Sequence, residues 1–270
     1  MIKVISIIMG LVCASCTSLA FVPAKAETLY GTDFQGGSFY TKEERKIYYS
    51  ECIVDGYENP YRAPTFGAGK VNGCAVDAGG NAFIYYDRLY DDLVPDYEHK
   101  YVFGKFNYGT HNDGITNMFN DLYVRMNTVE QGTSVDGFLK GMRSYAASRG
   151  HSITLEKVTG SYHNTNYTYI QEQLKQEKVA VIFMSGFSIS SELGPDIYDG
   201  YDKFSENIYS GHHVMLVYGY EDFYYYDSKG NLIERDTYFY ASTGYVGNKR
   251  ALLNIGLYGN VDDMYIIDIK

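Results

Sequence analysis

Gly211-His212-His213-Val214-Met215-Leu216-Val217-Tyr218-Gly219-Tyr220 (211–220) is the stretch whose reading decides the fold. The unbroken apolar and aromatic run from Val214 to Tyr218, closed by Gly219, is too short for a buried helix and reads as a buried strand. Three further segments carry the same signature: Val179 to Met184, Thr237 to Ala241 and Met264 to Ile269. Asp227-Ser228-Lys229-Gly230-Asn231 supplies turn chemistry for a hairpin between two of them. The half of the chain before these strands has a different period. Val76, Phe83, Ile84 and Leu89 predict a helix from Cys74 to about Leu93. Ile115, Met118, Phe119, Leu122 and Met126 predict a second. Val135, Phe138, Leu139, Met142 and Tyr145 predict a third, ending before Gly150, and a short fourth runs from about Tyr167 to Lys175. Thr41-Lys42-Glu43-Glu44 has capping-box spacing and predicts a helix to about Cys52, with a loop from Gly56 to Gly73. Helices followed by strands make an α+β protein, with the cleft between the two halves as the expected site.

Composition narrows the function. The chain has 270 residues, 45% hydrophobic and 21% charged, which is globular material. Lys+Arg number 23 against 33 Asp+Glu, for a formal charge of −10, so the basic surface a nucleic-acid binder needs is not expected. Residues 1–26 read as a signal peptide: Lys3, the apolar run from Val4 to Val12, and the small-x-small site Ala24-Lys25-Ala26. Its removal takes the formal charge to −12, because it holds Lys3 and Lys25 and no acid. It also removes Cys13 and Cys16, leaving Cys52 and Cys74. The expectation is a secreted, monomeric protein with no membrane span after cleavage, in three parts: signal 1–26, an N-terminal extension 27–60, and a main domain 61–270.

Asn72-Gly73-Cys74-Ala75-Val76 sets a thiol in the first turn of a predicted helix, where the helix N-terminus favours the thiolate. Asp77 in the same turn is expected to act as a helix-dipole acid; close to a thiolate, it would raise the thiol pKa. Gly79 and Gly80 each cost roughly 1 kcal/mol in a helix interior, which suggests another backbone passing close by. His212 or His213 supplies an imidazole 138 residues after the thiol; strand alternation puts only one of them on a given face. His99, His111, His151 and His163 lack metal-ligand spacing, so neither metal nor cofactor is expected. The acid- and Tyr-rich segment from Glu192 to Tyr209 reads as a long connecting loop.

These motifs resemble the papain-like cysteine peptidases, in particular the bacterial C39-like and streptopain-like families. Gly-Cys-Ala-Val-Asp-Ala-Gly-Gly-Asn-Ala-Phe-Ile-Tyr-Tyr (73–86) is similar to their nucleophile helix. Gly211-His212-x-Val214 with Gly219-Tyr220 is similar to their base strand, and Ala241-Ser242-Thr243-Gly244-Tyr245 and Met264 to Asp268 to their third-residue and final strands. The resemblance covers about 60–270 and implies a papain-like fold with Cys74 as nucleophile and His212 as base. It places Ser242 where the family has Asn or Asp, and Ala68 where it has the oxyanion Gln, leaving Asn72 and the Cys74 backbone N–H as oxyanion donors. The implied reaction is hydrolysis of a peptide or protein substrate through an acyl-enzyme. The departures favour one alternative, a catalytically silent papain-like domain binding peptides or a cell-surface partner; another, sharing the Cys-plus-His chemistry, is a cell-wall amidase acting on peptidoglycan stem peptides. A Cys52–Cys74 disulfide would hold the nucleophile latent.

Overall fold

The structure, a computed structural model, describes residues 27–31, 39–70, 72–159, 165–190, 196–198, 201–245, 249–255 and 260–270. The signal segment 1–26, with Cys13 and Cys16, and His163 lie outside the described residues. In chain order the elements are β1 (Leu29–Tyr30), β2 (Phe39–Tyr48), β3 (Glu51–Glu58), α1 (Cys74–Asp87), β4 (Lys100–Val102), β5 (Lys105–Asn107), α2 (Asp113–Arg125), β6 (Thr133–Ser134) and α3 (Val135–Ser148). Then follow β7 (Ile153–Lys157), α4 (Tyr167–Lys175), β8 (Val179–Ser190), β9 (Asp196–Tyr198), β10 (Tyr201–Tyr226), β11 (Leu232–Ser242), β12 (Arg250–Asn254) and β13 (Val261–Ile269). The fold is α+β: four described helices, mostly in the N-terminal half, and a large antiparallel sheet centred on the C-terminal half. Among the described residues no helix is long and apolar enough to cross a membrane.

The sheet is organised by β10. Its first part pairs with β2 and β9, its middle with β8, and its last part with β3 on one side and β11 on the other. Alternation along β10 and β8 then builds two cores. Val214, Leu216 and Tyr218 join Val179, Val181 and Phe183 on the face covered by α1, α2 and α3. Met215 and Val217 join Ala180, Ile182 and Met184 on the opposite face, against Ile170 and Leu174 of α4. Tyr226 and Leu232 close the expected hairpin, whose turn is held by the Asp227 carboxylate accepting from the backbone N–H of Lys229 and Asn231 at 2.8 and 2.9 Å.

Two sequence expectations give way to pairing. Residues 41–52 are not a helix but lie in β2 and β3, because the long β10 offers them hydrogen-bonded partners from end to end, and tertiary pairing outweighs a local capping pattern. Residues of the expected extension 27–60 thus belong to the same sheet as the base strand. Likewise Tyr201 to Tyr209 are the start of β10 rather than part of a loop. Helix α1 ends at Asp87, short of Leu93.

Every residue of α1 is buried, since it lies between the sheet and the α2–α3 pair. Gly79 and Gly80 serve that placement, though not by admitting a backbone. A Cβ at Gly79 would stand 2.8 Å from Met126 Cε and from Met142 Sδ, and one at Gly80 would press into the Phe119 ring. The glycines therefore make room for side chains of α2, its C-cap and α3. We expect Gly80→Ala to destabilise the protein by about 1–3 kcal/mol through overpacking, outweighing the roughly 1 kcal/mol that alanine gains in helix propensity. Urea unfolding of the two proteins measures it, and an alanine variant at least as stable as the parent would contradict this account.

Candidate functional site

Helix α1 starts differently from the other three. Asn112, Ser134 and Asn166 each cap their helix by accepting from a first-turn N–H, of Ile115, Gly137 and Tyr169 respectively. Gly73 precedes α1 and has no side chain to do so. The first-turn donors of α1 thus have no side-chain cap, and the positive end of its dipole stands where Cys74 is placed. Cys74 itself is buried at 5% exposure.

Three sets of contacts locate that helix start on the sheet. The Tyr86 hydroxyl donates to the Ile267 carbonyl, and Ile267 pairs with Val179. Continued from Ile182↔Met215, the β8–β10 register sets Val179 level with Tyr218. From Tyr86 back to Cys74 is roughly 18 Å of helix, and from Tyr218 back to His212 roughly 20 Å of strand, so the helix start reaches the level of His212. Independently, a Cβ on Gly244 would lie 3.7 Å from Asp77 Oδ2, and Gly244 follows the Leu216↔Ser242 pair two residues toward His212. Finally, Gly31 packs against Asn72, while its neighbour Tyr30 lies with its ring 5.4 Å from the His212 ring.

The two histidines take opposite faces. Five residues of β10 from Tyr209 to His213 span four of β8 from Phe187 to Met184, a bulge in which Gly211 adopts φ +114. His212 emerges from it toward Tyr30, on the α1 face, paired with Ser185. Its Nδ1 is buried and has no hydrogen-bond partner among the described residues. His213 is stacked between Phe187 and Tyr245, with its Nε2 2.7 Å from the Thr243 carbonyl. Burial drives its pKa down to about 4, so it is a neutral core residue at pH 7.

The remaining expected site residues have other engagements. The Ser242 hydroxyl donates to the Pro64 carbonyl at 2.8 Å, and its pairing with Leu216 sets it roughly 13 Å of strand from His212. Asn72 Nδ2 donates to the Glu130 carbonyl. Cys52 lies in β3 opposite Tyr225, in a different core from Cys74, and no disulfide joins the two. Among the described residues no cluster of His, Cys, Asp and Glu has the makings of a metal site.

Sequence reading missed the polar group beside His212. The Asp262 carboxylate accepts from the Tyr30 hydroxyl at 3.0 Å and from the Ser185 hydroxyl at 2.9 Å. Burial first, and then Asp262, raise the Tyr30 pKa above its ordinary value. These residues come from three distant elements, and the sheet order β10–β8–β13 sets Ser185 opposite His212 and Asp262 one strand further on. Asp77 also departs from expectation. It is buried rather than a solvated dipole acid, accepts from Ala68 N at 2.6 Å, and desolvation pushes it up to about 8. Held neutral at pH 7, it does not oppose a thiolate one turn away.

Comparison with known protein families, with curated proteins and with solved structures finds no match to this chain.

The buried acids fix a pH dependence. Folded Asp77 keeps its proton to about pH 8, whereas the unfolded chain releases it near 3.8, so stability falls as pH rises through that interval. Asp87, pushed by burial up to about 7, acts in the same direction. His213 acts oppositely, stability rising with pH between about 4 and 6.5. From pH 7 to 8 the Asp77 contribution stands out, with a limiting slope of about 1.4 kcal/mol per pH unit. Asp77→Asn, which still accepts from Ala68, is expected to flatten the decline measured by urea unfolding at pH 7 and 8. An unchanged decline would place the proton elsewhere.

Proposed function

We propose that the protein is a secreted cysteine peptidase of papain-like architecture, with Cys74 as nucleophile and His212 as base. One observation carries the reading. A thiol at the N-terminus of a helix without a side-chain cap is brought to the level of an imidazole whose buried Nδ1 has no partner among the described residues. A buried polar nitrogen left unpaired costs about 1–3 kcal/mol, and such groups persist where chemistry needs them.

In this reading His212 takes the Cys74 proton, and the thiolate, supported by the helix dipole, attacks the substrate carbonyl carbon. The oxyanion meets the Cys74 backbone N–H at the helix start. Collapse breaks the C–N bond as His212 returns the proton to the leaving amine, and water then hydrolyses the thioester with His212 again as base. In this reading the amide hydrogen that Asn72 keeps beyond its bond to Glu130 is the second oxyanion donor. Ser242 fits a different role, tying the end of β11 to the loop at Pro64 that runs into α1. Ser185, the strand partner of His212, donates its hydroxyl to the Asp262 carboxylate.

A second reading is a silent peptide-binding domain of the same fold, favoured by the engagement of the Ser242 hydroxyl with Pro64. Peptide-resolved alkylation from pH 4 to 9 separates the two. The peptidase reading expects Cys74 to react with a midpoint well below the ordinary thiol value of about 8.5, Cys52 to behave ordinarily, and His212→Ala to return Cys74 to the ordinary value. Cys74→Ala is expected to lower peptide hydrolysis at least about 1000-fold with the fold retained. Ordinary titration of Cys74 in the parent protein would establish the second reading instead.

A further inference from the structure

A cleft of about 710 Å³ opens beside the loop that enters α1, and its charge is opposite to that of the chain. In a protein with 33 acids against 23 bases, its walls carry Arg62, Lys105, Lys249 and Arg250 and no Asp or Glu. Arg62 is paired with Glu58 at 2.8 Å. Arg250 gives two hydrogen bonds to the Ala63 carbonyl, at 2.8 and 3.3 Å, which orient the guanidinium and leave its charge uncompensated. Lys105 and Lys249 are exposed, and among the described residues neither has a carboxylate within ion-pair distance. Three cations with no carboxylate partner among the described residues, from two places in the chain, thus converge on one concave surface, where the low-dielectric walls concentrate their field.

The rest of the cleft suits a polypeptide. Strand β5 forms one wall and pairs only with β4 among the described strands, so its other edge offers a main-chain ladder to an extended segment. The floor is aromatic, with Tyr61 and Phe106 packed edge to face at 5.3 Å. The cleft also stands at a defined distance from the thiol. Phe66 on its wall is clasped at both N–H and carbonyl by Asn81, roughly 10 Å along α1 from Cys74, the span of about three extended residues.

We propose that this cleft seats an acidic stretch of the polypeptide substrate, about three residues from the bond that is cut. The proposal rests on the peptidase reading for the word substrate, and on the cleft alone for the acidic peptide. Lys105, Lys249 and Arg250 hold the carboxylates, and β5 pairs with the backbone.

The test separates the two. Binding of fluorescein-labelled peptides of equal length, rich in Glu, Gln or Lys, is followed by anisotropy on the full chain carrying Cys74→Ala, at 50 and 300 mM salt. The Glu peptide is expected to bind about tenfold tighter than the Gln peptide, and high salt to erase most of the difference. Lys105→Glu with Lys249→Glu, both exposed positions, is expected to cost about tenfold; Lys105→Gln with Lys249→Gln, a gentler change, should fall between. Equal affinity for Glu and Gln peptides, or indifference to both double variants with the melting curve unchanged, would overturn the proposal. So would tighter binding of a sulfated oligosaccharide than of the Glu peptide, which would make the occupant a glycan. If Glu peptides bind as expected while Cys74 titrates ordinarily, the cleft stands and the peptidase reading alone fails. If the parent protein cleaves peptides without regard to acids near the cut, the peptidase reading stands and the cleft proposal fails.

Discussion

Helix α1 has no face toward water. All of its side chains are buried, so each polar one must find its partner inside the protein, and the partners it finds build the surroundings of the candidate site. Asn81 clasps both backbone groups of Phe66, Asp77 accepts from Ala68, and Asp87 accepts from Val94 at 2.8 Å. The first two bonds lay the loop before α1 back along the helix, where it lines the basic cleft and meets Ser242. At the far end the Tyr85 and Tyr86 hydroxyls donate to the Glu177 and Ile267 carbonyls, fixing how far the helix runs along the sheet. Sliding the helix by one turn would break all five contacts together. The position of Cys74 is therefore set by buried hydrogen bonds along the whole helix rather than by anything at its own end.

The same burial decides which ionisable groups are available for chemistry. Asp77 and His213 flank the site in sequence, and both are held neutral at pH 7 by desolvation, one protonated and the other deprotonated. Neither competes with the thiol and His212. The basic residues Lys105, Lys249 and Arg250 lie outside this buried set, in the cleft. A uniformly acidic surface would repel acidic peptides; a local reversal of sign within a cleft admits them at one place only.

How much of this was legible in the sequence follows from the range of the interactions concerned. The start of α1 at Cys74, the α4 range and the Asp227 turn were readable because periodicity, capping and turn chemistry act within a few residues. Opposite faces for His212 and His213 follow from alternation alone. Residues 41–52 were misread because their capping spacing is local, whereas their strand partners in β10 lie more than 150 residues away. Gly79 and Gly80 were rightly read as signs of close approach, but glycine cannot say whether a backbone or a phenyl ring approaches, and Phe119 is about forty residues on. Tyr30, Ser185 and Asp262 carried no local signal, since each is an ordinary residue until the strand order assembles them.

That assembly bears on the charge His212 would acquire as a base. An imidazolium in a half-buried position needs negative potential or hydrogen-bond acceptors to hold it. Ser242, which the family resemblance puts in the third position, donates its hydroxyl to Pro64 and pairs with Leu216, four strand residues from His212. Asp262 lies two strands from His212, about 10 Å by strand spacing, which at an effective dielectric of about 20 supports a positive charge by roughly 1–2 kcal/mol. The helix start adds to the thiolate on the other side of the pair. In the proposed peptidase, a helix dipole and a remote carboxylate would share the work that a third residue in contact with the imidazole would do alone. The assembly also makes Tyr30, which touches both Asp262 and the His212 ring, the side chain through which the N-terminal segment bears on the site.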